Sequence, residues 1–300
     1  MTSFNDKSKI FISIIIPVFN RQGALWRLLN DLEKAIEKYK LKDQVETIVI
    51  DDFSDKPIKL PTNSAQTILY RNQTNLGAPQ SRKIGFQMSK GSYIHFHDSD
   101  DTITDTWLVD VVEQLKERPE IDLLLTGRIE CWEEEKRSYY SSFFDRHVNQ
   151  PRKILARLYY WNCIGPLGGV TFSRRTVKNI SFDNLASCQD WLMYLEAFES
   201  INTLYSRRDI QFVSNKSGSD RISDDPRKKI LGHLQLSKRT AMHSPFKRKI
   251  RLFYLYAKKR YIVSQEGLML TFYNRHRFKI LLIFLVIGVY SFLPGKKARS

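Results

Sequence analysis

Asp98, Asp100, Asp101 and Asp105 crowd four carboxylates into eight positions, immediately after the short apolar run 92–97. Like charges this close repel one another and hold protons unless a cation sits among them. Carboxylate oxygens suit Mg²⁺ or Mn²⁺, ions that keep coordination positions open for water and for the phosphates of a substrate. Asp98, Asp100 and Asp101 are therefore the candidate ligands of a divalent metal. The same residues would also suit a solvated turn with an Asp capping a helix over 106–116. Their place at the C-terminal end of a strand favours the metal, because open α/β sheets bind ligands there.

The elements that must position this cluster alternate between strand and helix. Residues 11–16 are a β-branched run that reads as a buried parallel strand. Leu25, Leu28, Leu29, Leu32 and Ile36 recur at helical spacing and end in a basic turn. Strands follow at 45–50 and 67–70, a helix at 79–89, a strand at 93–96, a helix at 106–116 and a fifth strand at 121–125. Five strands with intervening helices predict an α/β fold with a doubly wound sheet. Further on, 151–160 reads as a helix, 168–173 as a strand and 188–199 as a helix carrying Gln189-Asp190-Trp191 in its first turn.

The 300 residues, 42% apolar and 12% aromatic, are ample for a packed core. The net charge of +16 is unevenly placed: 19 of the 48 basic residues but only 3 of the 32 acidic ones lie in 221–300. Whatever this charge binds is anionic and is met by the C-terminal quarter. Cys131, Cys163 and Cys188 are isolated and odd in number, which argues against a disulfide framework or a zinc site and fits a reducing compartment. The polar first ten residues and the short apolar run after them predict no signal peptide. The six histidines show no metal-binding spacing.

Four motifs stand in order. They are Ser13-Ile14-Ile15-Ile16-Pro17-Val18-Phe19-Asn20-Arg21, Ile48-Val49-Ile50-Asp51-Asp52-Phe53-Ser54-Asp55, Asn75-Leu76-Gly77 with Arg82, Gly85 and Gly91, and Asp98-Ser99-Asp100-Asp101. Together they resemble glycosyltransferase family 2 over roughly the first 105 residues. The resemblance implies a GT-A fold, a mixed doubly wound sheet with a Rossmann-like nucleotide-binding half and an acceptor half. It also implies inverting sugar transfer from a nucleotide-diphosphate sugar donor.

On that resemblance Pro17, Phe19, Asp51, Asp52, Asn75, Arg82 and Asp98 bind the donor nucleotide. Phe19 would stack on the base, with ordinary core packing as its other reading. Asp51 and Asp52 would accept the base's ring N–H, or else form a plain turn with Ser54. Arg82 would reach ribose or phosphate, or else remain a solvated helical charge. The Asp98–Asp101 segment is similar to the family's DxD-type motif, which holds a Mn²⁺ or Mg²⁺ that bridges the donor phosphates. Two residues depart from the family pattern: His97, where an apolar residue is common, and Lys83, where Asn is. His97 is expected to face solvent at its strand end.

An inverting transfer needs a base for the acceptor hydroxyl. In the family this is an acidic residue at a helix start about ninety residues past the metal motif, where this chain has Asp190. Gly168-Gly169-Val170-Thr171-Phe172 resembles the acceptor-side strand. Arg221, in the polar stretch 217–223, would clamp the diphosphate from a mobile loop or lie on a surface linker.

The expected organisation is a catalytic domain over 1–220 and a basic helical tail over 221–300. Within the tail, 246–262 interleaves Lys and Arg with aromatics, and 280–293 is uncharged between basic flanks. At 1.5 Å per residue the uncharged stretch would be about 21 Å long, short of a ~30 Å hydrocarbon core. This predicts an interfacial or re-entrant anchor at an anionic membrane surface, on its cytoplasmic face, and no nucleic-acid partner. Such an anchor suits a lipid-linked or glycan acceptor in surface polysaccharide synthesis, of the capsule or O-antigen kind. The Gln-x-x-Arg-Trp motif of processive synthases is not found, so single-sugar addition is expected. A metal-dependent sugar nucleotidyltransferase and a non-enzymatic membrane-associated binding protein are the alternatives.

Overall fold

The structure, a computed structural model, describes residues 10–62, 66–132, 135–159, 161–216 and 226–239. Arg221 and residues 240–300, with both tail stretches read above, lie outside the described residues.

In chain order the elements are β1 (Ile12–Val18), α1 (Gln22–Lys38), β2 (Val45–Asp51), β3 (Thr67–Arg71), α2 (Ala78–Met88), β4 (Tyr93–Phe96), β5 (Thr102–Ile103) and α3 (Trp107–Glu117). Then come β6 (Leu123–Trp132), β7 (Glu135–Tyr139), α4 (Ser142–Arg146), α5 (Pro151–Leu158), a 3₁₀ turn at Leu167–Gly169, β8 (Val170–Ser173), α6 (Arg174–Val177), α7 (Gln189–Ala197), β9 (Leu204–Asn215) and α8 (Pro226–Arg239). They build one mixed sheet in the order β3-β2-β1-β4-β8-β6-β9-β5, with β7 on β6. The first four strands are parallel, β8 is antiparallel to both β4 and β6, and β6 runs parallel to β9. The mixed α/β sheet expected from the sequence is therefore present.

The β-branched run of β1 forms a central strand because both of its faces are covered. Ile12, Ile14 and Ile16 pack with the α1 and α3 side chains, whereas Ile15 joins the cluster of the opposite face with Phe172, Trp191 and Tyr194. In α1, Leu25, Leu28, Leu29 and Leu32 are all buried, each contributing about 1.5–3 kcal/mol.

Two expectations need correction. The strand read as 121–125 runs to Trp132, with a register shift at Thr126/Gly127 where it continues along β9. No Asp caps α3: Thr106 holds the N-cap position without a side-chain bond, so the capping explanation for the acidic cluster falls away. Helix α8 packs against the preceding residues, with Leu236 fully buried in the cluster that holds Trp191 and Leu192. No helix among the described residues is long and apolar enough to cross a membrane.

Candidate active site

Because β2, β1 and β4 are parallel neighbours, their C-terminal ends present Asp51-Asp52, Phe19 to Arg21 and His97 to Asp101 along one edge. Phe19 and Phe53 are exposed, at 43% and 46%, so the core-packing reading of Phe19 does not hold. The loops carrying these rings are tied together. Asn20 donates from its backbone N to Ser54 Oγ at 2.9 Å, and its side chain exchanges hydrogen bonds with Asp55. Pro17 is buried within β1, and Asn75 is exposed ahead of the Leu76-Gly77 turn.

Asp51 and Asp52 both brace loops. Asp51 accepts from the backbone N of Ser54 and Ile58 and pairs with Arg71. Burial disfavours its charge, yet these donors outweigh burial and hold its carboxyl below the usual range. Asp52 accepts from Asn72, from Leu76 N and from Gly77 N, each at 2.8 Å. The turn with Ser54 read from the sequence is present, in the hands of Asp51.

Arg82 is buried at 4% exposure, which rules out a solvated helical charge. Its Nη2 donates to Asp98 Oδ1 at 2.6 Å, while Nε and Nη1 are buried with no partner among the described residues. At Asp98 burial opposes ionisation, but Arg82, then His97 and Arg21, outweigh it and hold the carboxyl below the normal range. Asp100 pairs with Arg21. Asp101 turns inward: its Oδ1 accepts from Asn215 N at 3.0 Å, and Asn215 Nδ2 donates to the Asp100 carbonyl at 2.7 Å. Burial, with Asp98 and Asp100 adding to it, pushes Asp101 well above the carboxylate range.

The three-carboxylate ligand set is not assembled. Among the described residues, no three His, Cys, Asp or Glu side chains come close enough to cage an ion. The physical reason is that Asp98, Asp100 and Asp101 face three different partners. The donor chemistry does fit Mg²⁺ or Mn²⁺ held by one or two carboxylates and completed by substrate phosphates, the usual arrangement for such ions. A cation would relieve the part of the upward shift at Asp101 that comes from the neighbouring charges of Asp98 and Asp100.

His97 does not face solvent. It is 1% exposed, and its Nδ1 lies 3.1 Å from Nε2 of the fully buried His95, whose Nδ1 is 3.0 Å from Thr171 Oγ1. Trp107 and Phe212 pack edgewise around the pair. Burial lowers His97 to about 4 against the pull of Asp98, and burial lowers His95 well below the usual imidazole value. The alternation of β4 carries the signal: His95 and His97 lie two apart and share one face.

Asp190 opens α7, behind a left-handed Cys188 (φ 63°) that turns the chain into the helix. It accepts a backbone hydrogen bond from Leu167. Burial raises its carboxyl to about 6, Arg82 opposing and Asp98 adding. One turn later on the same face, Tyr194 is fully buried with its hydroxyl unpartnered among the described residues. The fold thus brings Arg82 of α2, Asp98 after β4 and Asp190 of α7 within electrostatic reach of one another. Arg21, Asn215 and Tyr194 were not assigned from the sequence. Their roles depend on partners far along the chain, and only Arg21 adjoins a recognisable motif.

A family model described as glycosyl transferase family 2 matches residues 13–179. The chain belongs to that family. Two relatives of this family 2 chain are uncharacterized glycosyltransferases of Haemophilus influenzae. One is 30% identical over 114 residues, covering 38% of this chain and 37% of the relative. The other is 27% identical over 216 residues, covering 67% and 78%. Among solved structures, Staphylococcus aureus TarS 1–349 in complex with UDP-GlcNAc superimposes with a TM-score of 0.62 at 18% identity, over 92% of this chain and 80% of that one. The mannosyltransferase PcManGT of Pyrobaculum calidifontis, in complex with GDP-Man and Mn²⁺, gives 0.55 at 12% identity, over 95% and 88%. At these identities the likeness is one of fold.

Proposed function

We propose that this family 2 chain transfers a sugar, with inversion, from a nucleotide-diphosphate donor to an acceptor hydroxyl. The observation that carries the reading is the convergence of Arg82, Asp98 and Asp190 from three separate elements, Asp190 having its carboxyl raised to about 6. Such a group is ionised at neutral pH yet basic enough to take a proton, the condition for a general base. In the step, the acceptor oxygen forms a bond to the anomeric carbon while that carbon's bond to the donor phosphate oxygen breaks. The hydroxyl proton passes to Asp190, and the nucleoside diphosphate leaves with the negative charge.

The chain's own residues divide the work. Phe19 and Phe53 offer aromatic faces to the base, and the two free nitrogens of Arg82 meet the departing diphosphate or the ribose. A Mn²⁺ or Mg²⁺ bound at Asp98 or Asp100 would neutralise charge on the leaving group. The complexes of the two structural neighbours, with UDP-GlcNAc and with GDP-Man and Mn²⁺, lend support to this reading of the donor and the ion. We extend it to a lipid-linked or glycan acceptor of surface polysaccharide synthesis at an anionic membrane face. That extension rests on the basic charge and apolar stretch beyond residue 239.

The test is turnover of a panel of nucleotide sugars by the full chain, with chelator and with Mn²⁺ restored. The expected result is metal-dependent slow donor hydrolysis, and faster turnover once an acceptor is present. No turnover of any donor under either condition would refute the transferase reading.

A further inference from the structure

A cleft of about 280 Å³ opens between β6, β7, α4, α5 and the segment 161–165. A larger depression of about 500 Å³, at Asn149–Lys153 and Ile201–Asn202, contains none of the site residues. The smaller cleft is joined to the chemistry by its wall. Gly165 lines it, and two residues later Leu167 gives its backbone N–H to Asp190.

Its lining chemistry is one-sided. Arg128 and Arg157 face it, and among the described residues no carboxylate lines it. Each guanidinium lies over an aromatic ring, Arg128 at 5.0 Å from the Tyr139 centroid and Arg157 at 5.4 Å from that of Phe143. Rings in this position hold arginines in place without neutralising them. Arg128 donates from Nε to Glu130 at 2.7 Å, but Lys216, 3.8 Å from the same carboxylate, offsets that acid. Room for the Arg128 head depends on Gly165. A Cβ there would lie 2.9 Å from Nη1, and φ +117° is itself a glycine conformation. Trp161, a residue 44% exposed, completes the rim.

Two pre-positioned guanidiniums suit the oxygens of a phosphate, and an exposed indole suits the carbon face of a sugar or polyol. We propose that this cleft selects a phosphorylated acceptor: Arg128 and Arg157 hold a phosphate of the acceptor while its sugar or polyol skeleton lies on Trp161, aiming a hydroxyl at Asp190. Naming the cleft as the acceptor side rests on the transferase reading; its preference for phosphate does not.

The experiment measures binding to the full chain by saturation-transfer NMR with four probes. A glycerol phosphodiester trimer stands for a polymeric source, and octyl-diphospho-N-acetylglucosamine for a lipid-linked one. Glycerol and octyl N-acetylglucosaminide are their neutral counterparts. At least one phosphorylated probe should bind roughly tenfold or more tighter than its counterpart, and which one does identifies the source. Arg157→Gln should remove most of that preference, and Arg157→Lys should restore part of it. Arg157 is exposed on α5, so both variants should fold. Arg128→Gln is the second variant. Equal binding of charged and neutral probes, or a preference that survives both Gln variants, would overturn the proposal. Donor hydrolysis by the unaltered chain without acceptor is read separately, so failure of the transferase reading would be distinguishable from failure of the phosphate reading.

Discussion

Arg82 donates from one guanidinium nitrogen to Asp98 at 2.6 Å and keeps two others buried without a partner among the described residues. A cation so placed helps hold Asp98 ionised, and its remaining donors can meet a ligand's oxygens. Replacing it by Met would leave Asp98 with only the more distant help of Arg21. Asp98 is about one-third exposed, so the loss of stability should be about 2–3 kcal/mol, below that for a wholly buried pair. Donor affinity should fall at least tenfold, by the worth of a charge-assisted hydrogen bond. Urea unfolding and nucleotide titration measure the two effects, and unchanged donor affinity would remove Arg82 from the site.

The base makes its own prediction. Asp190→Asn should lower transfer by roughly 10²-fold or more while donor still binds. Because Asp190 must be ionised to accept a proton, kcat/KM in the unaltered chain should fall as pH drops through about 6, tenfold per unit below it, and be level above. An acid limb centred near 4 would point to an ordinary, solvated carboxylate instead.

The buried imidazole pair predicts a different pH effect, on stability. Both histidines have folded-state pKa values below 6.5, so the unfolded chain binds more protons than the folded one in acid. Their contribution is fully present above 6.5 and is lost as pH falls from 6.5 towards the folded value of His97, about 4. The loss from His97 should approach about 1.4 kcal/mol per pH unit within this window, and His95 shifts stability in the same direction. The His97→Phe variant should show a shallower decline of Tm across that window. The same slope in both proteins would mean that the pair does not titrate on unfolding.

The tail reading is tested by removing residues 275–300. The shortened chain should still hydrolyse donor slowly but float less with anionic liposomes. Salt should strip the intact protein only partly, because apolar insertion is not screened whereas Lys and Arg attraction is. Equal flotation of both proteins would exclude this stretch as the membrane contact, and stronger binding to nucleic acid than to lipid would overturn the membrane reading.

The parts of the fold legible in the sequence were those whose signal is local. The isoleucines of β1, the leucines of α1 and the short β4 declare themselves because each is buried by neighbours that repeat at a fixed period. β9 does not: its Arg207, Arg208 and Asp209 mask a strand that exists because β6 and β5 pair with it. Asp98 and Asp190 stood out as acids at element ends, yet nothing near Arg82 in sequence foretold its burial against Asp98. The grip of Asn215 on Asp100 and Asp101 spans more than a hundred positions. His95 and His97 looked unremarkable singly and acquire meaning only once Thr171, Trp107 and Phe212 close around them.

The last described helix sits on the segment that delivers the base. Gln235 accepts from Ala186 N at 2.7 Å, Arg239 pairs with Asp183, and a Cβ at Gly232 would strike Ser187 Oγ at 2.3 Å. The 61 residues that follow are therefore tethered one short helix away from Asp190. On the proposed function, a load applied to those residues would bear first on the segment 183–187 that leads into Asp190, and anchorage and turnover would share a single mechanical joint.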